Sequence, residues 1–183
     1  SLLTARQLDL DINLKHVDLL KSEQFLPAFL AINPEHTVPT IVDGDLALWE
    51  SRAVSGYFVN KYCKGDWLYP EEAKPRARVD RMLMFDMGTL YIRFTKYVLP
   101  VVFKGSKPDP EAKKSLLEAL MWFDTFLENS TYSAGSTITI ADHSLAASVE
   151  TIKQSKISIA RYRNIKAWLQ LCQDNMPGYE ENV

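Results

Sequence analysis

The sequence predicts two units of different class: an α+β unit over residues 1–63 and an all-helical bundle over residues 73–183, joined by a linker at 64–72. Three observations predict it. Apolar and polar residues alternate in the first third of the chain, as strands require. From Ser51 onward the apolar residues recur at steps of three and four, as helices require. Between these regimes lies KGDWLYPEEAKP, which carries Gly65, Pro70 and Pro75 and reads as a linker.

A short helix opens the chain. Leu8, Leu10, Ile12 and Leu14 then alternate with polar neighbours and predict a strand within residues 8–19. A mixed stretch from Ser22 to Leu30 and the loop Asn33-Pro34-Glu35-His36 follow, and TVPTIVDGDLALWE reads as a hairpin turned at Gly44-Asp45. Val54, Tyr57, Phe58 and Tyr62 mark the first long helical stripe. In the second half, Val79 to Phe103 predicts a long helical segment interrupted at Gly88 and Pro100. Leu116, Leu120, Phe123 and Leu127 give another helix, Leu145, Val149 and Ile152 a third, and Ile165, Trp168 and Cys172 a fourth.

Composition narrows the function classes. With 46% hydrophobic and 24% charged residues the chain can bury a real core and lacks the signature of disorder. The 21 Lys and Arg against 23 Asp and Glu offer no general attraction for nucleic acid or an anionic membrane. Cys63 and Cys172 stand far apart without disulfide or zinc spacing, which fits a reducing cytoplasm and no metal. No apolar run reaches the roughly 20 residues of a membrane span.

Three segments carry the chemistry. Trp49-Glu50-Ser51-Arg52 sits where a hairpin strand enters a helix, whose start offers unpaired N–H groups to an anion. Ser51 can cap that helix or donate to a carboxylate, and Glu50 can take an ammonium, which together make an α-amino-acid clamp; a plain capped helix with a surface Glu is the alternative. In His36-Thr37-Val38-Pro39-Thr40, a cis Val38-Pro39 bond would turn the Val38 backbone outward to pair with an extended peptide; a trans proline in an ordinary loop is the alternative, with His36 a loop residue. Thr139-Ile140-Ala141-Asp142 is a capping box with a structural role, and His143 weakens the hydrophobic staple that would pair residue 143 with Ile138.

Taken together, INPEHTVPTIVDGDLALWESRAV (32–54), LYP (68–70), RMLMFDMGTLY (81–91), TFLE (125–128), ITIADHSLA (138–146) and PGYEEN (177–182) resemble the cytosolic glutathione transferases, especially the arthropod delta and epsilon classes, over nearly the whole chain and in order. The resemblance implies a thioredoxin-like domain, here without its first strand, followed by the helical domain. It implies glutathione as co-substrate, small hydrophobic electrophiles as second substrates, a detoxifying role in the cytoplasm, and a homodimer. Carried over by position, Glu50 and Ser51 would hold the γ-glutamyl end, Val38 the cysteinyl backbone, and His36 with Arg52 the glycyl end. Gln24 stands where delta relatives often have a histidine. Tyr91, Phe94, Tyr97 and Phe103 would line the second-substrate pocket, although such an aromatic stripe taken alone is more often core than binding wall. Arg81, Met82, Phe85 and Met87 would face the partner, with Asp86 near the partner's glutathione. No catalytic residue is assigned within the chain, because the thiol-activating Ser is expected upstream of Ser1; relatives also continue past the PGYEENV segment. A catalytically weak binding protein of the ligandin type, or a structural domain reusing the fold, are the competing implications.

Overall fold

The computed structural model describes residues 1–182. Helix α1 (Leu2–Gln7) is followed by 3-10 turns at Leu19–Lys21 and Glu23–Phe25, α2 (Pro27–Leu30), strands β1 (Thr40–Asp43) and β2 (Leu46–Trp49), and α3 (Ser51–Tyr62). The second half contains α4 (Ala73–Phe85), a π-helical turn (Asp86–Tyr91), α5 (Ile92–Lys104), α6 (Pro110–Phe126), α7 (Ile140–Gln154), α8 (Arg163–Asn175) and a final 3-10 turn (Tyr179–Asn182). This is a thioredoxin-like unit with a small antiparallel sheet, followed by a helical bundle. No helix among the described residues is long and apolar enough to cross a membrane.

The hairpin pairs Thr40 with Trp49 and Asp43 with Leu46, turning at Gly44, whose φ of 64° suits a residue without Cβ. Ile41 and Leu48 face inward onto Val54 and Phe58 of α3, together with Ala5, Leu10 and Ile12. Val42 faces water. The strand expected within residues 8–19 is not formed. Leu10 and Ile12 do point inward as the alternation requires, but no neighbouring ladder pairs with this segment, and a strand exists only through its partner's N–H and C=O groups.

Most of the core belongs to the helical half. Leu116, Leu120, Phe123, Leu145, Val149, Ile152, Ile165, Trp168 and Cys172, the residues that set the helical periods, are buried in one cluster. Pro100 lies within α5 without ending it, and the expected interruption at Gly88 is the π-helical turn. Asp142 closes the capping box, its carboxylate accepting from the Thr139 N–H at 2.9 Å and hydroxyl at 3.0 Å. The same carboxylate also accepts from the Ser133 N–H at 2.7 Å and the Trp168 indole at 2.9 Å. His143 does not loosen this helix start as the sequence suggests. It is fully buried, and its Nδ1 lies 3.0 Å from the Thr4 hydroxyl, so it joins α7 to α1. A second tie fixes the far side of α1, where Arg6 forms a two-pronged ion pair with Glu181 at 2.7 and 2.8 Å.

Candidate functional site

The site is built at the open end of the hairpin. Because Thr40 pairs with Trp49, the residues just outside the ladder, Val38-Pro39 on one side and Glu50-Ser51 on the other, are brought together. Val38-Pro39 is cis, Val38 is exposed, and its N–H and C=O make no hydrogen bond among the described residues. The loop before it is held from below by Asn33, which is fully buried. Its amide donates to the Thr37 carbonyl and hydroxyl, each at 3.1 Å, and to the Thr40 hydroxyl at 2.9 Å, while its oxygen accepts from the Glu35 N–H at 2.9 Å. Sequence reasoning passed over Asn33, though an Asn-Pro pair beside a turn was a usable signal. His36 rides on this loop at φ 49°, its ring 4.7 Å from that of Phe25. Gln24, next to Phe25, has a buried amide oxygen with no partner.

On the other side of the hairpin, Glu50 rather than Ser51 is the cap residue of α3. The expected capping by the Ser51 hydroxyl is absent, because Ser51 is already the first helical residue. Glu50 adopts φ 67° and ψ 99°, a conformation that costs a side-chain-bearing residue on the order of 1–3 kcal/mol and persists only where the surroundings impose it. Its carbonyl accepts the first helical bond from Val54, so the N–H groups of the first turn have no helical acceptor and no side-chain cap.

Arg52 turns inward. Its guanidinium donates twice to the same Asp86 oxygen, at 2.6 and 3.1 Å, donates to the Ser51 hydroxyl at 3.1 Å, and sits 5.7 Å from the Tyr91 ring centre. Asp86 is fully buried and also accepts from the Ser144 hydroxyl at 2.6 Å, while its other oxygen has no partner. Through this one oxygen Asp86 anchors α3 to the helical half. A buried ion pair of this kind stabilises through the penalty of breaking it.

The aromatic residues expected to form one wall do not share a face. Tyr91 is exposed beside Arg52, Phe94 is buried in the core 5.7 Å from the Tyr91 ring, Tyr97 packs partly against that core, and Phe103 is 69% exposed near the C-terminal end of α5. Tyr91 and Phe103 are separated by about 18 Å of helix at 1.5 Å per residue. Two concavities of about 510 and 680 Å³ lie on the helical half, and no residue expected to touch glutathione or the electrophile lines either.

Family models for the glutathione S-transferase N-terminal domain and C-terminal domain match residues 1–60 and 84–173. The chain belongs to the glutathione S-transferase family. A delta-class glutathione transferase of Nilaparvata lugens shares 41% identity over 99% of this chain and 85% of its own, with a TM-score of 0.96. Glutathione Transferase E6 of Drosophila melanogaster shares 34% over 98% and 83%, with a TM-score of 0.91. A glutathione transferase homolog from Drosophila mojavensis, solved with bound glutathione, shares 34% over 99% and 84%, with a TM-score of 0.92. By this resemblance the chain is a transferase of the insect delta and epsilon kind. Within the glutathione transferase fold, the hairpin end and the start of α3 bring the exposed Val38 backbone beside the uncapped first turn of a helix.

Proposed function

We propose that the chain binds reduced glutathione at the open end of the hairpin and takes part in its conjugation to small hydrophobic electrophiles, as a detoxifying transferase of the cytoplasm. The start of α3 carries this reading: a helix of twelve residues begins with unsatisfied N–H groups, directly after a strained Glu50 and beside an unpaired Val38 backbone. That arrangement suits the two ends of an extended zwitterionic peptide. The γ-glutamyl carboxylate meets the Ser51 hydroxyl and the first-turn N–H groups, its ammonium meets Glu50, and the cysteinyl backbone pairs with Val38. His36 flanks the glycyl end. Arg52 acts through Ser51, whose oxygen it holds, because its own charge is taken up by Asp86.

Residues 1–63 are then the glutathione-holding unit, 64–72 the linker, and 73–183 the unit that receives the electrophile, with Tyr91 the nearest aromatic to the clamp and Phe103 an exposed second contact. In the reaction a thiolate sulfur attacks an electrophilic carbon, a C–S bond forms, and the leaving group departs with its electron pair while the thiol proton passes to solvent. The residues of this site bind and orient the peptide. Binding energy from these remote contacts holds the sulfur in place for attack. The protein acts as a homodimer. Calorimetric titration with glutathione tests the reading: saturable binding lost on Glu50→Ala is expected, and a folded chain that takes up no glutathione at millimolar concentration sinks it.

A further inference from the structure

One face of α4 is cationic. Lys74, Arg78 and Arg81 follow one another at steps of four and three, so they share an exposed side of the helix, and none has a carboxylate partner among the described residues. The single acidic residue of α4, Asp80, accepts from the Tyr69 hydroxyl at 2.8 Å. Opposite this face runs the loop between α6 and α7, where residues 129–137 carry six hydroxyl-bearing side chains and no charge. A cleft of about 680 Å³ lies between helix and loop, within the roughly 300–1,000 Å³ of ligand sites, and no Asp or Glu lines it. The whole chain carries a net charge of −2, so the cationic excess is local.

The loop wall is preformed. Tyr132 and Gly135 exchange backbone hydrogen bonds at 2.8 and 3.3 Å, the Ser130 hydroxyl lies 2.6 and 2.9 Å from their carbonyl oxygens, and the Ser133 N–H donates to Asp142 at 2.7 Å. The Asp142 carboxylate behind the loop is saturated by Ser133, Thr139 and Trp168. What is left toward the cleft is a set of donors. The side chains of Asn129, Thr131 and Ser136 and the N–H groups of Thr131, Ala134 and Ser136 have no partner among the described residues, and the buried Ser133 adds a hydroxyl without one. Donors on both walls suit an anion with many acceptor oxygens. Two guanidiniums one helical turn apart fit a phosphate, whose oxygens can take forked donors from both, better than a carboxylate with two. The cleft is larger than a free phosphate needs, and the hydroxyls and amide beyond the arginines suit a hydroxyl-bearing body. Phe126, the one aromatic residue lining the cleft, is flanked by Arg81 and Phe85, so a nucleobase finds no open ring to stack on.

We infer that this cleft is a binding site for a small phosphomonoester with a hydroxyl-rich body, a sugar phosphate, with the phosphate between Arg78 and Arg81 and the body along Asn129, Thr131 and Ser136. The site is independent of the glutathione clamp and of the function proposed for it. The test is a titration of the ¹⁵N-labelled protein with glucose 6-phosphate in chloride buffer, with and without glutathione, followed through the amide resonances of residues 76–82 and 129–137. Saturable shifts in both segments are expected. Glucose should produce none, and inorganic phosphate should bind more weakly than the sugar phosphate. Arg78→Gln and Arg81→Gln should each bind glucose 6-phosphate about tenfold more weakly than the parent, the scale of a lost charge-assisted hydrogen bond. Both arginines are exposed, so each variant should melt at the parent's temperature. On the opposite wall, the double variant Thr131→Val, Ser136→Ala should weaken glucose 6-phosphate while leaving inorganic phosphate unchanged, which separates loss of the site from any effect on α4. Equal binding of glucose, inorganic phosphate as tight as the sugar phosphate, unchanged arginine or loop variants, shifts confined to residues outside the two segments, or binding of phosphatidic acid vesicles in place of glucose 6-phosphate would each overturn the inference.

Discussion

At the start of α3 the Ser51 oxygen accepts a hydrogen bond from Arg52, and since a guanidinium accepts nothing, the serine's own proton stays free for a ligand. A carboxylate meeting that hydroxyl gains a charge-assisted bond of about 1.5–3 kcal/mol, so Ser51→Ala should weaken glutathione binding by roughly 10- to 150-fold in calorimetry. Binding within a factor of two of the parent would place the clamp elsewhere. His143 gives a prediction in pH. Burial drives its pKa from the ordinary 6.5 down to about 3, so the folded chain keeps the ring neutral where the unfolded chain protonates it. The contribution is present in full above pH 6.5 and is lost as pH falls toward 3, because there the unfolded state binds the extra proton. At 1.36 kcal/mol per pKa unit the loss is of the order of 5 kcal/mol. His143→Leu should flatten the stability curve in that window, at a cost near neutral pH of about 1 kcal/mol for the Thr4 hydrogen bond. Urea melts at pH 7 and pH 4 would show it, and equal pH dependence in parent and variant would refute it.

Among the elements, α7 is set by its first turn. Asp142 takes bonds from Thr139, from the loop at Ser133 and from Trp168 of α8, and burial pushes its carboxyl up from the ordinary carboxylate value despite them. Asp142→Ala leaves the Ser133 N–H, the Thr139 N–H and the Trp168 indole buried without acceptors, at roughly 1–3 kcal/mol each, so a loss of about 3 kcal/mol or more is expected in chemical denaturation. A loss under 1 kcal/mol would mean water replaces the carboxylate. The local half of this motif was legible, since Thr139 and Asp142 lie at capping-box spacing; the bonds to Ser133 and Trp168 were not, because they depend on how α8 packs. The hairpin was legible for the same reason, its turn and alternation being short-range. Residues 8–14 had the alternation of a strand, but alternation records which side is buried and says nothing of whether a ladder partner exists. The junction of strand and helix at Glu50-Ser51 was legible as a motif, whereas the inward turn of Arg52 toward Asp86 and the division of the aromatic residues between core and surface depend on helix phase across two units.

At the scale of the whole molecule, Thr4–His143, Arg6–Glu181 and Arg52–Asp86 bind the first half to the helical half, and the faces used for this decide which faces are left over. On α4 the sequence predicts Met82 at the subunit contact. Val79, Met82 and Leu83 instead lie on the buried side, Met82 fully in the core, and Phe85 is half-buried against Phe123 and Phe126. Successive steps of three from the exposed Arg81 reach Met84 and Met87, which are 58% and 43% exposed, and Arg81 lies over the ring of the partly exposed Phe126. Two exposed methionines make an apolar patch that a second copy can cover, and a two-fold axis through it would bring the end of each α4 against its counterpart. In such an arrangement a charge placed at Met84 or Met87 meets its like across the axis. The parent should sediment as a dimer at micromolar concentration, and the double variant Met84→Lys, Met87→Lys should sediment as a monomer while keeping its circular dichroism, since neither side chain contributes to the core. A parent that runs as a monomer would remove the dimer altogether, and a variant that stays dimeric would move the interface off this face of α4.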